Sequence, residues 1–98
     1  MKFLIYTEDK ADSLQIRTDN RNAHLGWLKT PDNKVSLLTA GPWLDDDGVM
    51  RGSMLIVDAE TKDEVEKWLL RDPYRAAGLT GKIIIKPFIW AIGAPPEA

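Results

Sequence analysis

The chain holds a single imidazole, His24, and one aspartate, Asp72, where an apolar residue would be expected. Histidine titrates near neutrality, so it suits general acid or base work. Asp72 follows Val65, Trp68 and Leu69 as the next position on an apolar helix stripe. A carboxylate at a helix C-terminus opposes the macrodipole, typically by ~0.3–1 kcal/mol. Two roles are open to it. It can cap a short helix that starts with Pro73, or it can orient His24 and take part in proton transfer. His24 can likewise be a structural, hydrogen-bonded helix residue. We read the two as meeting across a pocket.

Other polar residues are candidates for the same pocket. Tyr74 can donate a hydrogen bond into it or simply pack. Ser53, beside Gly52, can bind substrate, but no activating base is evident to make it a nucleophile. Arg17 and Arg21 share the face of His24. They can bind a carboxylate ligand bidentately or pair with internal acids. Gly41-Pro42 reads as backbone shaping.

Several chemistries lack the residues they need. There is no cysteine, hence no disulfide, thiolate metal site or cysteine nucleophile. One histidine leaves zinc or iron poorly served. Asp45-Asp46-Asp47 are consecutive, whereas calcium loops space their ligands at alternate positions, so we read a solvated turn. No Gly-rich phosphate loop is present. No metal and no cofactor are expected. A net charge of −2 gives no electrostatic footprint for nucleic acid or an anionic membrane. The early charged, alternating residues do not read as a signal peptide, and no apolar run spans a bilayer. A cytoplasmic location is expected. The 98 residues are read as one domain, with 94–98 a short tail.

The elements that must position these groups follow from pattern. Phe3-Leu4-Ile5-Tyr6 is rich in strand formers and ends in Glu8-Asp9-Lys10. Asp12 or Ser13 can cap a helix running to about Lys29. At about 100° per residue, Leu14, Leu25 and Leu28 fall on one side, and Ile16, Ala23 and Trp27 further round. Arg17, Arg21 and His24 lie between them, and polar groups there need partners. Thr30-Pro31-Asp32-Asn33 is a turn. Strands are expected over Val35 to Leu44 and Met50 to about Asp58, joined by a hairpin at Asp47-Gly48. Thr61 and Glu64 have capping-box spacing for a second helix, which Asp72-Pro73 ends. Pro73 to Ala77 makes one further turn before Gly78. The last strand is expected over Lys82 to Ile92, at an edge or bulge because of Pro87.

The order strand, helix, strand, strand, helix, strand is the ferredoxin-like α+β pattern, βαββαβ with a four-stranded antiparallel sheet. Two helices cover one face of that sheet, yet the strands are apolar on both. A second copy packed face to face is the economical cover, so we expect a homodimer.

The chain resembles the YciI-like, or YCII-related, proteins over about Met1 to Gly93. The resemblance is carried by His24, Ala40-Gly41-Pro42, Asp45-Asp46-Asp47-Gly48, Gly52-Ser53, Asp72-Pro73-Tyr74 with Gly78, and the closing strand with Pro87 and Trp90. It implies a ferredoxin-like, dimeric α/β barrel, related in fold to muconolactone isomerases and small cofactor-free monooxygenases. It also implies an active site that pairs His24 with Asp72, with Ser53 nearby. Some members of the family are associated with dehydrochlorination of chlorinated aromatic breakdown products.

Two functions are consistent with these residues. One is a small cofactor-independent lyase or isomerase in which His24 moves a proton on a small, anionic or cyclic molecule. The other is a non-catalytic dimeric module that binds a small molecule or a protein.

Overall fold

The computed structural model describes residues 1–93, and the tail read at 94–98 lies outside them. The elements are β1 (Lys2–Asp9), α1 (Leu14–Lys29), β2 (Ser36–Leu44), β3 (Met50–Asp58), α2 (Lys62–Leu69), α3 (Pro73–Ala76) and β4 (Thr80–Phe88). The four strands form one antiparallel sheet in the order β2-β3-β1-β4. The fold is ferredoxin-like, as the pattern of periods predicts.

Side chains alternate across a strand, so register fixes the two faces. Ile5 pairs with Leu55 and Ile85, and Thr7 with Ser53 and Ile83. This face packs on the helices. Phe3, Ile5, Leu55 and Val57 join Val35, Ala59, Val65, Trp68 and Leu69 in one buried core. Each large apolar side chain taken fully from water contributes roughly 1.5–3 kcal/mol. The opposite face presents Leu4, Tyr6, Met54, Ile56 and Ile84, and none of the described helices covers it.

Local signals explain the helix ends. The Thr61 hydroxyl accepts the Glu64 N–H at 3.2 Å and starts α2. Asp72 caps α3 by accepting the Tyr74 N–H at 3.0 Å, with Pro73 at the first helical position. Gly48 and Gly78 close their turns at φ 80° and 79°, where a Cβ would be strained. Around Gly48, Asp45 accepts the backbone N–H groups of Asp47 and Val49 and an Arg51 N–H. The triple aspartate is thus a hairpin turn.

Three expectations need correction. β1 extends past Tyr6 to Asp9, because β3 and β4 both continue to pair with it. β4 stops at Phe88 rather than Ile92: Phe88 lies opposite Lys2, where β1 begins, and beyond it no described strand pairs with the chain. Ile89 and Ile92 are exposed. In α1, Ser13 stands at the N-cap but turns its hydroxyl onto the Ala11 carbonyl, so it caps nothing. Leu14 and Ala23 face water, and the buried residues of that helix are Arg17 and His24.

Candidate active site

Polar side chains buried on the inner face of a helix must be hydrogen-bonded. Among the described residues no buried side-chain nitrogen or oxygen lacks a partner. The partners of Arg17 and His24 define the site.

His24 reaches the loop between α2 and α3. Its Nδ1 lies 2.8 Å from Asp72 Oδ1, and both side chains are about nine-tenths buried. An ionised carboxylate only accepts, so Nδ1 carries the proton and Nε2 of the neutral ring is left with a lone pair. Nε2 has no protein partner among the described residues. It is therefore accessible, and His24 lines a cavity of about 140 Å³. Asp72 Oδ1 does two jobs, since it also accepts the Tyr74 N–H that caps α3.

Tyr74 is buried, and its ring stacks on the imidazole with centroids 3.9 Å apart and planes 13° apart. The Arg17 guanidinium sits 4.8 Å from the same ring. Arg17 and His24 are seven residues, about 10.5 Å of helix rise, apart. Tyr74 thus fills the space between them. Burial pushes the Tyr74 phenol above its usual pKa, and the charges of Asp72 and Asp9 add to that against the opposing arginines. The hydroxyl stays a donor at neutral pH.

Arg17 donates from Nε to Asp9 Oδ2 at 2.7 Å and from Nη2 to Asp9 Oδ1 at 2.9 Å. Nη2 also donates to Ser53 Oγ at 3.0 Å. Burial works against the charge on Arg17. Its hydrogen bond and ion pair with Asp9 outweigh that and hold the pKa above its ordinary value. Of the two roles open to Arg17, pairing with an internal acid is the one formed: its fork is occupied by Asp9. Arg21, one turn on, is exposed at the cavity wall and forms no ion pair among the described residues. Ser53 is buried and lines the cavity too.

The cavity therefore gathers His24, Tyr74, Ser53, Arg17 and Arg21, with Leu25, Leu28, Leu55 and Ala40-Gly41-Pro42 as its apolar wall. Asp72 stands behind the imidazole. The sequence reading missed Asp9, because Glu8-Asp9-Lys10 looked like a polar strand end. Phe3, Ile5, Thr7 and Asp9 alternate onto one face, and that period was the available signal. A cavity of about 150 Å³ holds a benzene ring, so this one, at about 140 Å³, is of single-ring size. A larger groove of about 420 Å³ runs between α2 and β4, lined by Lys62, Glu66, Leu70 and Arg75 among others. It contains no buried titratable pair. Among the described residues, no cluster of three His, Cys, Asp or Glu side chains is placed to hold a metal ion. No described helix is long and apolar enough to cross a membrane.

This combination of ferredoxin-like fold and a His-Asp pair between helix α1 and the α2–α3 loop defines a small α+β protein with polar groups set in a largely apolar pocket. The YCII-related domain matches residues 1–89, and the chain belongs to that family. Protein YciI of Escherichia coli O6:H1 is 39% identical over 94 residues, covering 90% of this chain and 96% of that protein. Among solved structures, 5-chloro-2-hydroxyhydroquinone dehydrochlorinase of Burkholderia phenoliruptrix, in complex with 2,5-dihydroxybenzoquinone, is 40% identical with a TM-score of 0.79. That match covers 91% of this chain and 94% of the other. A NIPSNAP domain protein of Burkholderia xenovorans, 11% identical with a TM-score of 0.51, shares the fold over 96% of this chain and all of its own.

Proposed function

We propose that the chain is a small enzyme that uses His24 and Asp72 to move a proton on a single-ring, hydroxylated substrate. The observation that carries this reading is the pair itself: Nδ1 bound to Asp72 at 2.8 Å, with Nε2 unpartnered among the described residues and His24 in the cavity wall. Asp72 fixes the tautomer and stabilises the imidazolium that forms, as carboxylates do beside catalytic histidines. Tyr74 and Ser53 position ring oxygens, and Arg21 draws an anionic group to the mouth. The likeness to the dehydrochlorinase supports a ring substrate and an elimination.

The chemistry needs only proton movement. Nε2 takes a proton from a ring hydroxyl and returns it to a ring carbon. Stopping there is an isomerisation. If that carbon bears chlorine, the carbon–chlorine bond then breaks and chloride leaves with the bonding pair. A second hydroxyl loses its proton, and both oxygens end as quinone carbonyls. The sum is loss of HCl, with no oxidant required.

We further take the working form to be a homodimer in which the open sheet faces meet. Leu4, Tyr6, Ile56 and Ile84 form the apolar centre of that face.

The test is chloride release from chlorinated hydroquinones. Turnover should fall by at least ~100-fold in His24→Ala, with folding retained. Unchanged turnover in that variant would refute the assignment. Ligand binding without turnover of any chlorinated or unchlorinated hydroquinone would favour the binding module.

A further inference from the structure

The proposed reading leaves the second buried ion pair unexplained. Asp9 and Arg17 have side chains only 7% and 3% exposed, and both Asp9 oxygens are spent on one guanidinium. Replacing such a pair by apolar residues is often neutral or stabilising, so stability alone is a weak reason for it. Its geometry has a consequence for the cavity. Asp9 takes Nε and one hydrogen of Nη2, and Ser53 Oγ takes another. The remaining nitrogen, Nη1, has no protein partner among the described residues and, by the satisfaction of all buried atoms, is accessible. Arg17 lines the same cavity as His24. Ser53 accepts from Arg17, which leaves its own hydroxyl hydrogen free to donate. The Tyr74 hydroxyl, also without a protein partner among the described residues, adds a third donor among the side chains that line the cavity.

Resting on the proton-transfer reading, we infer that Asp9 is a positioning residue that turns Arg17, with Ser53 and Tyr74, into a holder for an ionised ring oxygen. The substrate class is then a ring whose hydroxyl is ionised or becomes so when His24 takes its proton. A carboxylate substrate is disfavoured at Arg17, because the fork edge that would clamp it bidentately is filled by Asp9. Charge balance agrees. Asp9 offsets Arg17, and Asp72 stands ready for an imidazolium, so Arg21 is the one unpaired cation on the wall among the described residues. A single negative charge on the ligand completes the site. Donors held in advance toward a developing oxyanion can supply much of an enzyme's rate enhancement.

Binding, not turnover, tests this. The probes are 2,5-dihydroxybenzoquinone, whose hydroxyls are vinylogous acids and are ionised at neutral pH, and its dimethyl ether, which cannot ionise. Kd is read from quinone absorbance in the parent and in Asp9→Asn, with thermal unfolding as the folding control. The ratio of the two Kd values cancels size differences between variants. We expect the parent to prefer the ionised ring, and Asp9→Asn to reduce that preference tenfold or more although Asp9 touches no ligand. If Asp9→Asn does not fold, the double variant Asp9→Asn with Arg17→Gln removes both charges and leaves neither of that pair as an unpaired buried ion. It should lose the preference equally. An unchanged preference in a folded variant, or no binding of the ionised ring at millimolar concentration, overturns the inference. A chain that binds with this preference but turns nothing over defeats the enzyme reading and leaves the oxyanion holder standing.

Discussion

One oxygen, Asp72 Oδ1, accepts both the His24 Nδ1–H at 2.8 Å and the Tyr74 N–H at 3.0 Å. The imidazole tautomer and the start of α3 therefore depend on the same atom. The two roles are separable by substitution. Asp72→Asn keeps an acceptor for the cap but cannot stabilise an imidazolium. It should lower kcat by about 10²–10⁴-fold with a near-parental Tm. Asp72→Ala should lose activity similarly and, in addition, about 1 kcal/mol of stability from the cap. Denaturant unfolding alongside turnover separates them.

Asp32 ties the turn before β2. Its carboxylate accepts the N–H of Lys34 and of Val35, each at 2.9 Å. The Lys34 bond is the main cause holding its pKa below the ordinary value. Burial opposes it, and the Val35 bond and Arg71 add to it. A depressed carboxylate stabilises the fold above its unfolded pKa, near about 3.9, and that contribution fades as pH falls through the lower folded value. Asp32→Ala should cost about 1–2 kcal/mol at pH 7. The gap to the parent should narrow steadily below about pH 4. Urea unfolding at a series of pH values reads this directly.

Gly52 is buried in β3 because the Trp43 indole crosses it to donate to the Thr7 carbonyl at 2.8 Å. A Cβ at that position would collide with the Thr7 carbonyl and with the indole nitrogen. The methyl of Gly52→Ala should therefore displace Trp43, break its hydrogen bond and cost about 1–3 kcal/mol. Ser53 is the next residue, so ligand affinity should fall as well. Chemical unfolding and tryptophan emission give the two readouts.

Ile84 lies opposite Tyr6 on the uncovered sheet face. If two such faces meet, a charge there is buried and repelled by its symmetry mate. Sedimentation should give twice the chain mass for the parent at micromolar concentration and one chain mass for a folded Ile84→Glu. An unshifted mass for the variant, or a monomeric parent, would reject face-to-face pairing.

Much of this was legible in the sequence. The fold followed from hydrophobic period and turn residues, since Asp47-Gly48, Thr61 with Glu64, and Asp72-Pro73 each act through local chemistry. Asp72 stood out because it replaces an apolar residue on a buried stripe. What was hidden depends on neighbours in space. β4 ends where β1 runs out, which the apolar residues Ile89 to Ile92 do not announce. Asp9 reads as surface until β1 is paired through to its end. Arg17 and Arg21 look equivalent on a helical wheel, yet Asp9 makes the first a fixed internal ion and leaves the second open.

Everything proposed for the cavity depends on neutral His24 holding its proton on Nδ1 and offering Nε2 to a ligand. Imidazole ¹⁵N NMR decides the point, and with one histidine the signals need no deconvolution. Above the histidine titration, a protonated Nδ1 and an unprotonated Nε2 are expected. Added 2,5-dihydroxybenzoquinone should then shift Nε2 more than Nδ1. A proton found on Nε2, or an imidazole indifferent to a ligand that binds, would contradict this assignment.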